Sequence, residues 1–328
     1  EEDKMKKEVF GPPCLVAGVS ERRPRLRGRR AIDNNDLILK NTNKMKKLSL
    51  ILAGMAVAFA MSSCDKSKTS YFKEPVVSDT IPLAKEDTIN FDGKIVVLLE
   101  DYTGVKCNNC PAAGEIALQL QQQYGHQLIV LGVHPKGVLQ NPAGGFPDFR
   151  TDDGNEWNNT FNIGAYPNGL VNRGEVVGSA KWAEKVEKAM AGEAPARMVI
   201  KSEYDDADRE LKLSIHTKIL TDLPKSNLTI CMMEDNILGK QVTSNGIDTA
   251  YMHRHVFRGT ADGLTWGGAI SDNSGEIEGD VIEEGRNFIR TMKFTVDSTF
   301  NADQLYIVSF ISREEDHVII QAAEKKIK

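Results

Sequence analysis

Three kinds of hydrophobic pattern follow one another along the chain. The first is a single apolar run, Leu48 to Met61, with Lys44-Met45-Lys46-Lys47 before it and Ser62-Ser63-Cys64 after it. The second begins near residue 91 and mixes short strand-like runs with helical stripes. Lys94-Ile-Val-Val-Leu-Leu-Glu100 has the length and β-branched content of a buried strand. Pro111 to Tyr124, with Ile116, Leu118, Leu120 and Tyr124, predicts a helix closed near Gly125. Gln127–Val133 predicts a second buried strand, so these three elements make a βαβ unit with parallel strands. A Gly/Pro-rich excursion (135–153), a short helix near 155–162, a hairpin about Gly174 and a helix over Lys181–Ala191 complete this region.

The third pattern starts after Gly192-Glu-Ala-Pro195. Alternating runs recur at 197–204, 210–219, 227–233, 251–258, 287–296, 304–312 and 318–323, separated by Asp, Asn and Gly turns. About seven such strands predict an all-β sandwich over residues 196–328. A length of 328 residues fits about two domains, and 41% hydrophobic with 27% charged residues is the composition of a globular chain.

Charge changes the picture of the N-terminal part. Residues 1–63 carry a balance of +6, and the rest carries −11 within the net charge of −5. An acidic body excludes nucleic acid as the expected partner, because phosphate neutralisation needs clustered Lys and Arg. The positive flank, the 14-residue apolar run and the small residues before Cys64 predict a secretory signal peptide over 45–63. That run is shorter than the ~20 residues a membrane helix needs. Small residues that stop directly before a cysteine resemble the lipobox of bacterial lipoproteins, which implies lipid attachment at Cys64. Residues 1–44, Cys14 included, are expected to lie outside the mature protein. Residues 64–90, polar and rich in Lys, Ser, Thr and Pro, read as a tether.

The chemistry-bearing motif is Cys107-Asn108-Asn109-Cys110, placed after a buried strand and at the start of a helix. A helix N-terminus offers free N–H groups and a favourable dipole to a thiolate. On that placement Cys107 is the attacking thiolate and Cys110 the resolving thiol. No second Cys/His pair stands at zinc spacing, and His253 and His255 have no identifiable further ligands, so neither metal nor cofactor is expected. Glu100, Asp101 and Lys106 are the charged residues near enough in sequence to tune the pair. Cys231, in an apolar strand, reads as a buried free thiol. Ala165-Tyr166-Pro167 precedes the third strand. In thioredoxin-like folds a proline there is cis and faces the disulfide, which makes Pro167 the third candidate site residue.

The segment Glu100-Asp-Tyr-Thr-Gly-Val-Lys-Cys-Asn-Asn-Cys-Pro111, the Tyr166-Pro167 step and Tyr251-Met-His-Arg-His-Val-Phe-Arg258 together resemble the outer-membrane-protein-28 family of Bacteroidota lipoproteins. The resemblance implies an α/β thioredoxin-like domain (91–192) followed by the β-rich domain, held at the outer membrane by lipid. It leaves two functions open. One is thiol–disulfide exchange on envelope proteins. The other is a binding or adhesin-type lipoprotein whose cysteine pair is a structural disulfide. Lys106 stands where thioredoxins carry Trp, and Asn-Asn separates the cysteines, so a thioredoxin's potential does not transfer. The residues after Cys64, Asp-Lys-Ser-Lys, lack an acidic export run, and the periplasmic face is expected.

Overall fold

The computed structural model describes residues 93–272, 275–276 and 280–328, and for 271–276 the backbone alone. The segment 1–44, the proposed signal peptide, Cys64 and the whole tether lie outside the described residues. The protein is β-rich, with few helices and a mixed sheet at its centre.

In chain order the elements are β1 (Val97–Tyr102), α1 (Cys110–Tyr124), β2 (Leu128–Val133), α2 (Asp152–Thr160), β3 (Asn168–Val171), β4 (Val176–Val177) and α3 (Trp182–Ala189). They are followed by β5 (Ala196–Asp205), β6 (Glu210–Ile219), β7 (Leu223–Pro224), β8 (Ser226–Glu234), β9 (Ile237–Thr243), β10 (Gly246–His253), β11 (Val256–Thr260) and β12 (Gly268–Ala269). Short pieces β13 (Ser271–Asp272), β14 (Gly275–Glu276) and β15 (Val281–Ile282) lead to β16 (Asn287–Thr295), β17 (Leu305–Arg313) and β18 (Ile319–Lys326).

Nine strands form the large sheet, in the order β18-β17-β8-β11-β2-β1-β3-β4, with β12 added to β8. The predicted parallel pair is there, Val97 to Tyr102 running beside Leu128 to Val133. β3 then pairs antiparallel to β1, and β4 to β3. Gly169 of β3 is required by packing, since a Cβ there would meet the Trp182 indole at 2.7 Å and the Glu100 carbonyl at 2.9 Å.

The sheet differs from the expected arrangement in one respect. The strands after residue 196 do not close into a sandwich of their own; β8, β11, β17 and β18 continue the sheet that begins with β1–β4. The reason lies in their residues. Leu228, Ile230 and Met232 of β8 face one core, while Cys231 and Met233 on the opposite side face another. In β17, Leu305, Ile307 and Ile311 likewise oppose Val308 and Phe310. Strands that are apolar on both faces must be covered on both: β5, β6 and β16 pack on one face of β8 and β17, and Trp157 of α2 meets Phe310 on the other. β5, β6 and β16 alternate instead, and make a separate three-stranded antiparallel sheet whose apolar face shares a core with β8 and β17.

Helices α1 and α3 cover one face of β1–β3 through Ala113, Ala117, Leu120, Trp182 and Val186. On the opposite face Trp157 of α2 stacks on Phe257 of β11 at 4.6 Å. The α2 start is capped by the Thr151 hydroxyl, which accepts from the Gly154 N–H at 3.0 Å. The Asp153 carboxylate accepts from the Thr260 N–H and hydroxyl and from the Thr265 hydroxyl, binding α2 to β11.

Two strand assignments change. The run 251–258 is broken: β10 ends at His253 and β11 begins at Val256, with His255 in the left-handed region at φ 56°. Strand β9 was not read from the sequence, although Asn245-Gly246 is a strong hairpin signal and the β9–β10 turn lies there.

Candidate functional site

Cys107 and Cys110 form a disulfide with their Cα atoms 5.4 Å apart. Cys110 is the first residue of α1 and Pro111 lies in its first turn, where a missing N–H costs nothing. No acidic residue stands in that turn to oppose a thiolate. The Tyr166–Pro167 peptide is cis, and Cys107 Sγ lies 3.8 Å from the Tyr166 carbonyl oxygen. The three candidate residues Cys107, Cys110 and Pro167 therefore belong to one place, at the C-terminal end of the parallel pair.

The loop that carries Cys107 is held on two sides. From the 135–150 excursion, Leu139 O accepts from the Lys106 N–H at 2.7 Å, and Gln140 Nε2 donates to the Thr103 carbonyl at 2.9 Å. From β9, the Val242 N–H donates to the Val105 carbonyl at 2.9 Å. Gln241 Nε2 donates to the carbonyls of Gly104 and Cys107, each at 3.1 Å. Gly104 has to be glycine, because a Cβ there would sit 2.9 Å from the Leu139 oxygen. The result is that Cys107 and Cys110 are each only 3% exposed, while Asn108 and Asn109 between them are exposed.

Beside Cys110 is a cavity of about 50 Å³, lined by Asp101, Gly114, His134, Gln241, Tyr251 and His253 among others. Asp101 is fully buried and desolvation raises its carboxyl to about 7; its Oδ1 has no hydrogen-bond partner among the described residues. Burial also lowers His134 to about 3 and His253 to about 4, so both imidazoles are neutral at physiological pH. The ring of Phe149 meets both, at 5.1 Å and 4.9 Å. His255, two residues on from His253, is turned to α1, where its Nε2 lies 2.8 Å from Gln121 Oε1.

Of the two other charged residues near the pair in sequence, Lys106 lies over the Phe146 ring at 5.1 Å. Glu100 points to the opposite face of the sheet, in a fully buried ion pair with Arg173 at 2.9 Å. The Arg173 guanidinium is enclosed by Trp157 at 4.3 Å, Phe310 at 4.8 Å and Trp266 at 5.4 Å. Trp266 is thus part of this enclosure, stacked on His317 at 3.9 Å. Cys231 is the buried free thiol expected, its pKa raised by burial. Gln241 and Arg173 were not legible as site or core residues; a lone Gln in a strand and a lone Arg after a strand carry no distinguishing pattern.

The sequence profile described as outer membrane protein Omp28 matches residues 154–328, more than half of the chain. The chain belongs to the Omp28 family. This identifies it as a member of an outer-membrane protein family and supports an outer-membrane envelope location. The match begins within α2, so Pro167 falls inside it while Cys107 and Cys110 lie before it. HBP35 of Porphyromonas gingivalis has a similar structure, with a TM-score of 0.53 at 20% identity over 71% of this chain and 76% of that one. A domain of the outer membrane lipoprotein Omp28 from Porphyromonas gingivalis matches 41% of this chain and 89% of its own, at 19% identity and a TM-score of 0.27. No curated protein matches the chain by sequence. Among the described residues no helix is long and apolar enough to cross a membrane.

Proposed function

We propose that this Omp28-family protein is a lipid-anchored envelope protein whose first half is thioredoxin-like and whose Cys107–Cys110 pair exchanges disulfides with other envelope proteins. The observation that carries the reading is the convergence of the disulfide, the helix N-terminus and the cis Tyr166–Pro167 peptide, with buried Asp101 at the cavity beside Cys110.

Written from the oxidised state, a partner thiolate attacks Cys107 Sγ. The Cys107–Cys110 bond breaks, its electron pair leaves on Cys110 Sγ, and a mixed disulfide joins partner and Cys107. The Asp101 carboxyl, protonated below pH 7, supplies the proton to Cys110. A second partner thiolate then attacks the partner sulfur of the mixed disulfide, leaving the partner oxidised and both cysteines reduced. In reverse the Cys107 thiolate attacks a partner disulfide and Cys110 resolves it, with Asp101 as proton acceptor. Which direction runs depends on the pair's potential against its surroundings.

Purified chain reduced with dithiothreitol should accelerate insulin reduction, and Cys107→Ser should abolish the acceleration. Equal rates with and without the wild-type chain would leave the alternative, a binding lipoprotein stapled by a structural disulfide. Cys64→Ala should move the protein from membrane to soluble fractions; membrane retention of that variant would remove the lipid anchor from the account. Lipid attachment, the periplasmic face and envelope protein partners belong to this reading.

A further inference from the structure

The β9–β10 hairpin is inserted between β8 and β11, neighbours in the large sheet, yet it pairs with neither. Its strands bond to each other, and the end of β9 next to the turn rests on the disulfide loop. There the Val242 N–H meets the Val105 carbonyl at 2.9 Å, a backbone bond of the kind by which one extended chain receives another. Gln241, itself 3% exposed, sends one amide nitrogen to Gly104 and Cys107 carbonyls at 3.1 Å and to its own strand's Val242 carbonyl at 3.0 Å. The Lys240 ammonium donates to the Gly144 carbonyl at 3.0 Å, joining the hairpin to the excursion on the other side. The partner strand is different: Gly246–Ala250 of β10 is exposed, with Ile247, opposite Val242, 60% in solvent, as is Leu238 near the start of β9 at 65%.

We propose that β9 occupies the place of a partner chain and that the hairpin selects what reaches Cys107. The partner is an extended polypeptide segment carrying a cysteine, and it takes the Val105 carbonyl in place of Val242. Gln241 is the positioning residue of the closed state, since removing its amide releases Gly104 and Cys107 together. A small thiol or disulfide offers no extended strand to take the place of β9, so it reaches a pair that is 3% exposed only during transient openings and reacts slowly. The inference rests on the exchange reading given above.

The test is the rate at which TCEP reduces Cys107–Cys110 in the full chain. Gln241→Ala and Gln241→Glu should each speed it by about tenfold or more, since a buried amide that made several bonds is lost or replaced by an acceptor facing carbonyls. Gln241→Asn, which keeps an amide, should fall between. Rates within twofold of wild type in both variants would overturn the proposal. Hydrogen exchange on the wild-type chain gives the second reading, independent of how the variants fold. The Lys106 and Val242 amides should exchange together and well before those of β1 and β2. Exchange of both only with global unfolding would overturn it. TCEP reduction needs no exchange activity, so an inert chain in the insulin assay and an unchanged TCEP rate are separate failures.

Discussion

Two regions of the large sheet bury different things. Where β8 and β17 face the small sheet, the shared core is apolar, built from residues such as Leu213, Ile215, Met232, Phe294 and Ile307. Around the disulfide, equally buried positions hold Asp101, His134, Gln241, His253 and His255. An apolar core lowers the free energy of folding by the area it removes from water. A buried carboxyl raises it, because the group must stay protonated or give up solvation as an anion. Under the function proposed above, the contrast gives stability to one region and chemistry to the other.

The largest effect expected on that contrast comes from Arg173→Ala. It leaves Glu100 buried without its partner, and should cost about 3–5 kcal/mol in urea denaturation. A loss below about 1 kcal/mol would mean that water or another residue takes the place of the guanidinium.

Asp101→Asn is expected to act in the opposite sense. The folded carboxyl titrates at about 7 and the unfolded one at its ordinary value of 3.8, so the folded state holds the extra proton between them. Stability must therefore fall as pH rises from 3.8 to about 7 and stay level above, at a cost of up to about 4 kcal/mol for this group. At pH 8 the Asn variant should melt higher than wild type, lose this part of the pH slope, and exchange disulfides more slowly. A variant that is less stable at pH 8 would contradict the burial cost assigned to Asp101.

How far the sequence could have led to this contrast is seen at particular residues. Cys107, Cys110 and Pro167 were legible because each carries a local signature: two thiols at helix-turn spacing, and a proline before a strand. The βαβ unit was legible because its strands are continuous apolar runs. The union of both halves in one sheet was harder to see. Ser226–Glu234 and Leu305–Arg313 are apolar on both faces, but that pattern says only that a strand is covered, not by which neighbour. Gln241 reaches the loop across 137 residues to Gly104, and no local pattern encodes a contact of that range. Its hairpin did have a signal in Asn245-Gly246, masked by the polar residues around it.

The smallest effect serves as the control for the apolar side. Ile215→Val removes one methylene from the small-sheet core and should cost about 0.5–1.5 kcal/mol. Its insulin-reduction rate and TCEP rate should match wild type. A change in either would show that the two regions are coupled and that the division of roles fails.

The central claim is that Cys107 is the sulfur through which this protein exchanges. It is tested most directly with oxidised glutathione on the reduced single-cysteine-site variants, reading adducts by peptide mass spectrometry. The Cys110→Ser chain should form a glutathione mixed disulfide at Cys107, and the Cys107→Ser chain should remain unmodified at Cys110. Modification at Cys110 alone, or at neither residue, would contradict the account.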